Sequence, residues 1–239
     1  MKFLLVILLT AFTTATFAQE TTTFNDPNAK TRSLNGTFSA ISVTDGIELY
    51  LTQGSQESIA VSSSDEKYDE RFKTIVENGL LKIYYDNNGI NWSDNNKRKL
   101  KAYVSFIKLD NLTGAGGADV NVASPFKVDD LNINFSSGAN FNGQIEGKDI
   151  TVEQSSGSIM NISGKAAKFT IGASSGATFK GYDFAAEYCE AKATSGASIR
   201  ISVQKELSAR ANSGGGIHYK GSAVIKDIDI SSGGTVKKI

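Results

Sequence analysis

The fold class this sequence predicts is all-β: a right-handed parallel β-helix, or solenoid, with coils of about 19 residues and an irregular N-terminal β cap. Three observations predict it. Glycines recur at a near-constant spacing, apolar and polar residues alternate on both sides of each one, and proline is almost absent, with 2 prolines against 23 glycines in 239 residues.

The repeat comes first. Gly117, Gly138, Gly157, Gly176, Gly196, Gly214 and Gly233 follow one another at spacings of 21, 19, 19, 20, 18 and 19 residues. From the second coil onward each glycine follows a serine: Ser137, Ser156, Ser175, Ser195, Ser213 and Ser232. The next position is always small: Ala118, Ala139, Ser158, Ala177, Ala197, Gly215 and Gly234. Three after the glycine stands an apolar column of Val120, Phe141, Met160, Phe179, Ile199, Ile217 and Val236. One step further is a polar column of Asn121, Asn142, Asn161, Lys180, Arg200, His218 and Lys237. Before the turn, apolar Ile133, Val152, Ile171, Ala191 and Ala209 alternate with polar Asn132, Thr151, Thr170, Glu190 and Ser208.

A period of two on both sides of a fixed Ser-Gly turn is strand patterning, and the repeat is too short for a βαβ unit. Coils stacked about 4.8 Å apart give seven coils a length of roughly 34 Å. Glycine supplies the positive φ of each corner. The pattern further predicts a ladder of serine hydroxyls at the corners, and a collision with the neighbouring coil for any bulky residue there.

Residues 37–110 are β-rich but irregular. Strands are expected around Phe38–Val43, Ile47–Leu51, Ile59–Val61, Phe72–Val76, Leu81–Tyr85 and Leu100–Phe106. A short helix is expected over Asp65–Phe72, after the cap signal Ser62-Ser63-Ser64. This region should cover one end of the solenoid, because terminal repeats need caps. The regular coils then occupy residues 111–239. Met1–Ala18 reads as a secretory signal, with Lys2, the apolar run Phe3–Leu9 and small residues ahead of Gln19. Residues 19–36 form a leader, and the mature chain is expected in the periplasm or at the cell surface.

The stretches Phe38-Ser39-Ala40-Ile41-Ser42-Val43 and Asp45-Gly46-Ile47-Glu48-Leu49-Tyr50-Leu51-Thr52-Gln53-Gly54 resemble a known bacterial family. Leu81-Lys82-Ile83-Tyr84-Tyr85, Leu100-Lys101-Ala102-Tyr103-Val104 and the later Ser-Gly coils share that resemblance. The family is the putative auto-transporter adhesins with a head GIN domain, and the likeness covers about residues 35–235. Its Gly-Ile-Asn-like step stands here as Gly46-Ile47-Glu48. The resemblance implies a secreted β-helical fold and an adhesin-like role; it brings no catalytic or binding residues with it.

Composition excludes several classes. Lys plus Arg and Asp plus Glu are 25 each, so no net charge draws the chain to nucleic acid. One Cys and one His cannot make a disulfide or a zinc-finger type site, and no cofactor is expected. Gly172-Ala173-Ser174-Ser175-Gly176 matches a nucleophile elbow by letter, but equivalent serines recur in every coil and no helix is expected after the turn. Gly114–Val120 has a single Asp and the wrong glycine spacing for a calcium roll. Cys189 takes an inward column position, and His218 an outward one. No polar column stacks carboxylates; Glu153 comes nearest, and Asp119 with Asp130 is a scattered pair that nothing selects for glycoside cleavage.

Two features remain as binding candidates. The amides of Asn121, Asn142 and Asn161 can bond sugar hydroxyls, and Lys180 and Arg200 continue that column as a basic stripe. Trp92, in the Asn-rich loop 86–99, can stack on a sugar or a partner. The sequence thus reads as an exported, non-catalytic interaction module for an extracellular glycan or an envelope protein, without a membrane span. The alternatives are a polysaccharide-active β-helix enzyme and a purely structural periplasmic scaffold.

Overall fold

The computed structural model describes residues 26–88 and 98–239; the proposed signal segment and Trp92 lie outside them. The strands of the N-terminal part are β1 (Lys30–Arg32), β2 (Ala40–Val43), β3 (Glu48–Gln53), β4 (Ser58–Ser62), β5 (Phe72–Glu77), β6 (Leu80–Tyr85) and β7 (Lys101–Phe106). Then come β8 (Asn111–Gly114), β9 (Asp119–Val122), β10 (Phe126–Phe135), β11 (Asn140–Gln154), β12 (Ile159–Ala173), β13 (Thr178–Ala193) and β14 (Ser198–Ala211). The chain ends on β15 (Gly216–Lys220), β16 (Val224–Ile230) and β17 (Thr235–Lys238).

From β8 onward each coil lies parallel on the next, in register. Phe141 pairs with Met160 and Met160 with Phe179, a step of 19 residues each time. Each coil has an entry wall leading into the Ser-Gly corner, an exit wall leaving it and a far wall that joins them. The predicted apolar columns fill the interior. Phe141, Met160, Phe179, Ile199 and Ile217 on the exit side are fully buried, as are Ile150, Val152 and Leu207 on the entry side. Far-wall residues Ile145, Phe184 and Val203 close the core from the third side. Size is complementary between coils: a Cβ at Gly114 would sit 2.7 Å from the Phe135 ring, so this glycine makes room for that ring.

The corners hold the chief surprise. Both central residues of each turn are left-handed, with φ of 52° at Ser137 and 74° at Gly138, and 51° at Ser156 and 72° at Gly157. With Ala139 N–H donating to Ser136 O at 3.1 Å, this is a type I′ turn. A type I′ corner favours Asn-Gly or Asp-Gly, and Asp45-Gly46 and Asn78-Gly79 in the N-terminal part have that form, also with positive φ at both residues. The expected hydroxyl ladder does not form among the described residues. A backbone ladder stands in its place: Gly138 N–H donates to Ser156 O at 3.0 Å, Gly157 to Ser175 at 3.1 Å and Gly176 to Ser195 at 3.1 Å.

The collision expected of a larger residue does not begin at the Cβ of the glycine; it falls on the next residue, where a Cβ on Gly215 would lie 2.3 Å from the Ala193 carbonyl oxygen. A Cβ on Gly138, Gly157, Gly176, Gly196 or Gly214 would meet nothing within 4 Å. Glycine stands there for its φ, not for want of space. Crowding begins one residue later, where Ala139, Ser158 and Ala177 are fully buried.

The N-terminal part both lengthens the solenoid and caps it. β2 lies between β6 and β8, and β3 between β7 and β9, all parallel. Two further coils therefore join the ladder, with the later one in sequence placed outermost. Antiparallel strands then end it: β5 covers β6, β4 covers β7, and β1 covers β4. Arg32 ties this cap together, donating to the backbone carbonyls of Phe72 and Asp69. The helix expected over Asp65–Phe72 shrinks to one 3-10 turn, Glu66–Tyr68, because Phe72 is drawn into β5 and the core.

This assignment of the corner is testable by urea unfolding. Gly157→Ala should cost about 1 kcal/mol, because alanine pays for a left-handed φ. Ser156→Gly, which removes the hydroxyl and relaxes the backbone, should stay within about 0.5 kcal/mol of the parent. A loss for Ser156→Gly as large as that for Gly157→Ala would mean that the hydroxyls do hold the corners.

Candidate functional site

Register fixes which side chains share the exit wall. The predicted polar column is continuous: Asn121 pairs with Asn142, Asn142 with Asn161, Asn161 with Lys180, Lys180 with Arg200, and Arg200 with His218. At its N-terminal end two tyrosines extend it, since Tyr50 pairs with both Asn121 and Tyr103. Their rings are 5.1 Å apart and 15° from parallel. The stacking gives one ring face of each to the other. The Tyr50 hydroxyl donates to Glu48 at 3.1 Å and that of Tyr103 to Asp26 at 2.8 Å. Burial first, and the Asp26 bond second, push the Tyr103 hydroxyl above its ordinary range.

The amides are partly engaged with one another: Asn161 Nδ2 donates to Asn142 Oδ1 at 2.7 Å. Beneath them Asp119 is half-buried, and its Oδ1 has no hydrogen-bond partner. Burial is the main cause that raises its carboxyl above the usual range, with the Glu48 charge adding; Asn121 and Asn142 offset part of the rise.

Past the amides the wall opens into a groove of about 530 Å³ lined by Asn142, Asn161, Lys180, Arg200, Tyr182 and Asp183 among others. Four of the six candidate residues named from sequence thus line one concavity. Asn121 lies next to it in the same column, and Trp92 lies outside the described residues. Tyr182 and Asp183 escape the repeat pattern, since they follow Gly181 at a bulge where β13 and β14 lose register. Lys220 adds a further cation, 5.4 Å from the centre of the Tyr182 ring.

On this wall Lys101 reaches Glu48 between the N-terminal coils, and elsewhere Lys165 reaches Glu146, Lys148 Asp129, Lys205 Glu187 and Lys226 Glu206. Among the described residues Lys180, Arg200 and Lys220 enter no ion pair.

The entry wall carries a smaller notch of about 380 Å³, where Glu153 lies over Gly172 beside Thr170, Glu190 and Lys192. Ser174 opens a type I′ corner that leads into strand β13, not a helix, so Gly172–Gly176 lacks the geometry of a nucleophile elbow. Cys189 is buried, and that burial raises its thiol far above the usual range. His218 is half-buried, with Nδ1 enclosed and unbonded. Asp119 and Asp130 fall on different walls. No cluster of three or more metal-ligating side chains occurs among the described residues, and none of their helices is long and apolar enough to cross a membrane.

The stacked parallel coils, with an open polar groove on one wall, define the fold as a β-solenoid. Residues 37–223 match the family described as "Putative auto-transporter adhesin, head GIN domain", and the chain belongs to that family. Among solved structures, a putative adhesin from Bacteroides fragilis is 19% identical with a TM-score of 0.78, covering 90% of this chain and 98% of its own. A putative adhesin from Parabacteroides merdae is 18% identical with a TM-score of 0.68, covering 90% of this chain and 97% of its own. A putative lipid binding protein from Parabacteroides distasonis is 23% identical with a TM-score of 0.63, covering 90% and 98%. No curated protein sequence matches the chain.

The Asp119 site predicts a specific pH effect. A carboxyl with a raised folded pKa favours the protonated native state, so it lowers stability once ionised at neutral pH and ceases to do so as pH falls through that folded pKa. Asp119→Asn should therefore be more stable than the parent at pH 7, and the difference should vanish towards pH 3. Equal stability at pH 7, or a gain that grows in acid, would contradict the assignment.

Proposed function

We propose that the chain is an exported, non-catalytic recognition module whose exit wall binds an acidic glycan. The observation that carries this reading is the groove in which Asn142 and Asn161 meet Lys180 and Arg200 without a carboxylate paired to either cation. Amides align sugar hydroxyls, and exposed cations attract carboxylate or sulfate groups from solution. The stacked wall also suits a long ligand, because neighbouring coils each present one outward polar side chain about every 4.8 Å. The family's adhesin description and the Met1–Ala18 signal reading both support presentation outside the inner membrane. The lack of a facing carboxylate pair in this groove argues against glycoside cleavage there.

Binding to uronic-acid and sulfated polysaccharides, measured by calorimetry at two salt concentrations, tests the proposal. The parent should bind, more weakly at the higher salt. Lys180→Glu and Arg200→Glu should each weaken binding about tenfold, equivalent to about 1.4 kcal/mol. Arg210→Glu, on the entry wall, should leave it unchanged. Binding that ignores both exit-wall reversals would overturn the site, product release would restore the enzyme reading, and silence on every acidic glycan would favour the scaffold.

A further inference from the structure

The two ends of the solenoid differ. At the N-terminal end the antiparallel strands seal the outermost coil, and Leu81, Ile83, Val104 and Phe106 are fully buried. At the other end β16 pairs on one side with β14 and β17 on one side with β15, and no described strand covers their free edges. The inward residues there are solvated: Ile228 is 40% exposed and Ile230 49%, whereas Ala209 and Ala211, their partners one coil back, are at 0% and 1%. An open strand edge with apolar side chains next to it is a template for another strand.

We propose that this end is covered by a second copy of the same chain, its β16 lying antiparallel on the partner's β17 about a two-fold axis at the Ser232–Gly233 corner. Two open ends related by a two-fold close on each other, whereas a head-to-tail contact with the outer edges of β1 and β5 would run on as a filament.

Charge then selects the register. The outward residues beside the corner differ in sign, Asp229 on β16 and Lys237 on β17, while Lys238 stands at an inward position in register with buried Tyr219. A two-fold that laid β16 on the partner's β16 with isoleucines on one side would set aspartate against aspartate. Placing β16 on β17 sets Ile230 opposite the partner's Val236, both inward by register, and Asp229 opposite the partner's Lys237, both outward. The ladder slips between Leu207 and Ser208, so β16 is straight only over Asp227–Ile230, the stretch beside the corner that this pairing uses.

Sedimentation of the mature chain across micromolar concentrations tests the pairing, with circular dichroism as the check on folding. The parent should sediment with twice the chain mass. Ile230→Lys should be a folded monomer. Asp229→Lys and Lys237→Asp should each raise the dimer dissociation constant at least tenfold, and the double variant should restore it. A parent that stays monomeric throughout, or a dimer indifferent to Ile230→Lys, would overturn the proposal; loss in both single reversals without recovery in the double would overturn the β16-to-β17 register.

Discussion

The structure depends on a left-handed corner that closes a hydrogen bond to the next coil. Two consecutive residues with positive φ turn the chain sharply enough for an entry strand to leave as an exit strand. The same turn points the glycine amide along the solenoid axis, into the carbonyl of the next serine. The strands on either side are already fixed by their ladders. Without the corner bond the ladder would be broken once in every coil at its most exposed point. Once the corners repeat in register, the apolar columns follow, because every inward residue rests on its equivalent one coil away.

The coils of residues 111–239 were legible because each repeats its neighbour: Val120 to Ile217 could be read as a buried column before any pairing was known. The cause of the glycine column lies outside the pattern. Spacing alone cannot distinguish a residue required for φ from one required for space, and the open surroundings of Gly157 decide between them. The N-terminal coils hid for a topological reason. Tyr103, Tyr50 and Asn121 are neighbours in space, but their order in sequence is Tyr50, Tyr103, Asn121, so no single period contains them. The helix expected over Asp65–Phe72 yielded to the core, which draws Phe72 into β5. Within the groove, Lys180 and Arg200 follow the repeat, whereas Tyr182 and Asp183 sit at a bulge, where periodicity gives no guidance.

Each wall of a solenoid is a line of nearly identical positions, so function has to arise where the line changes. On the far wall, lysines and carboxylates of neighbouring coils neutralise one another. On the exit wall the column passes from tyrosine to amide to cation, and the cations keep their charge for solution. The two ends differ as well: antiparallel strands bury the outermost coil at one, and the other keeps the edges of parallel strands, with Asp229 on β16 and Lys237 on β17. Recognition on a wall and association at an end would therefore use separate surfaces of one rod.

Hydrogen–deuterium exchange at the corner glycines reads the coil-to-coil bond itself. Gly157, Gly176 and Gly196 lie in exposed turns, yet their amides donate to the serine carbonyl of the next coil. These amides should be protected as well as those of the flanking strands, most in the middle coils and less towards Gly233. Exchange at the rate of unbonded turn amides in the middle coils would contradict the coil-to-coil bond.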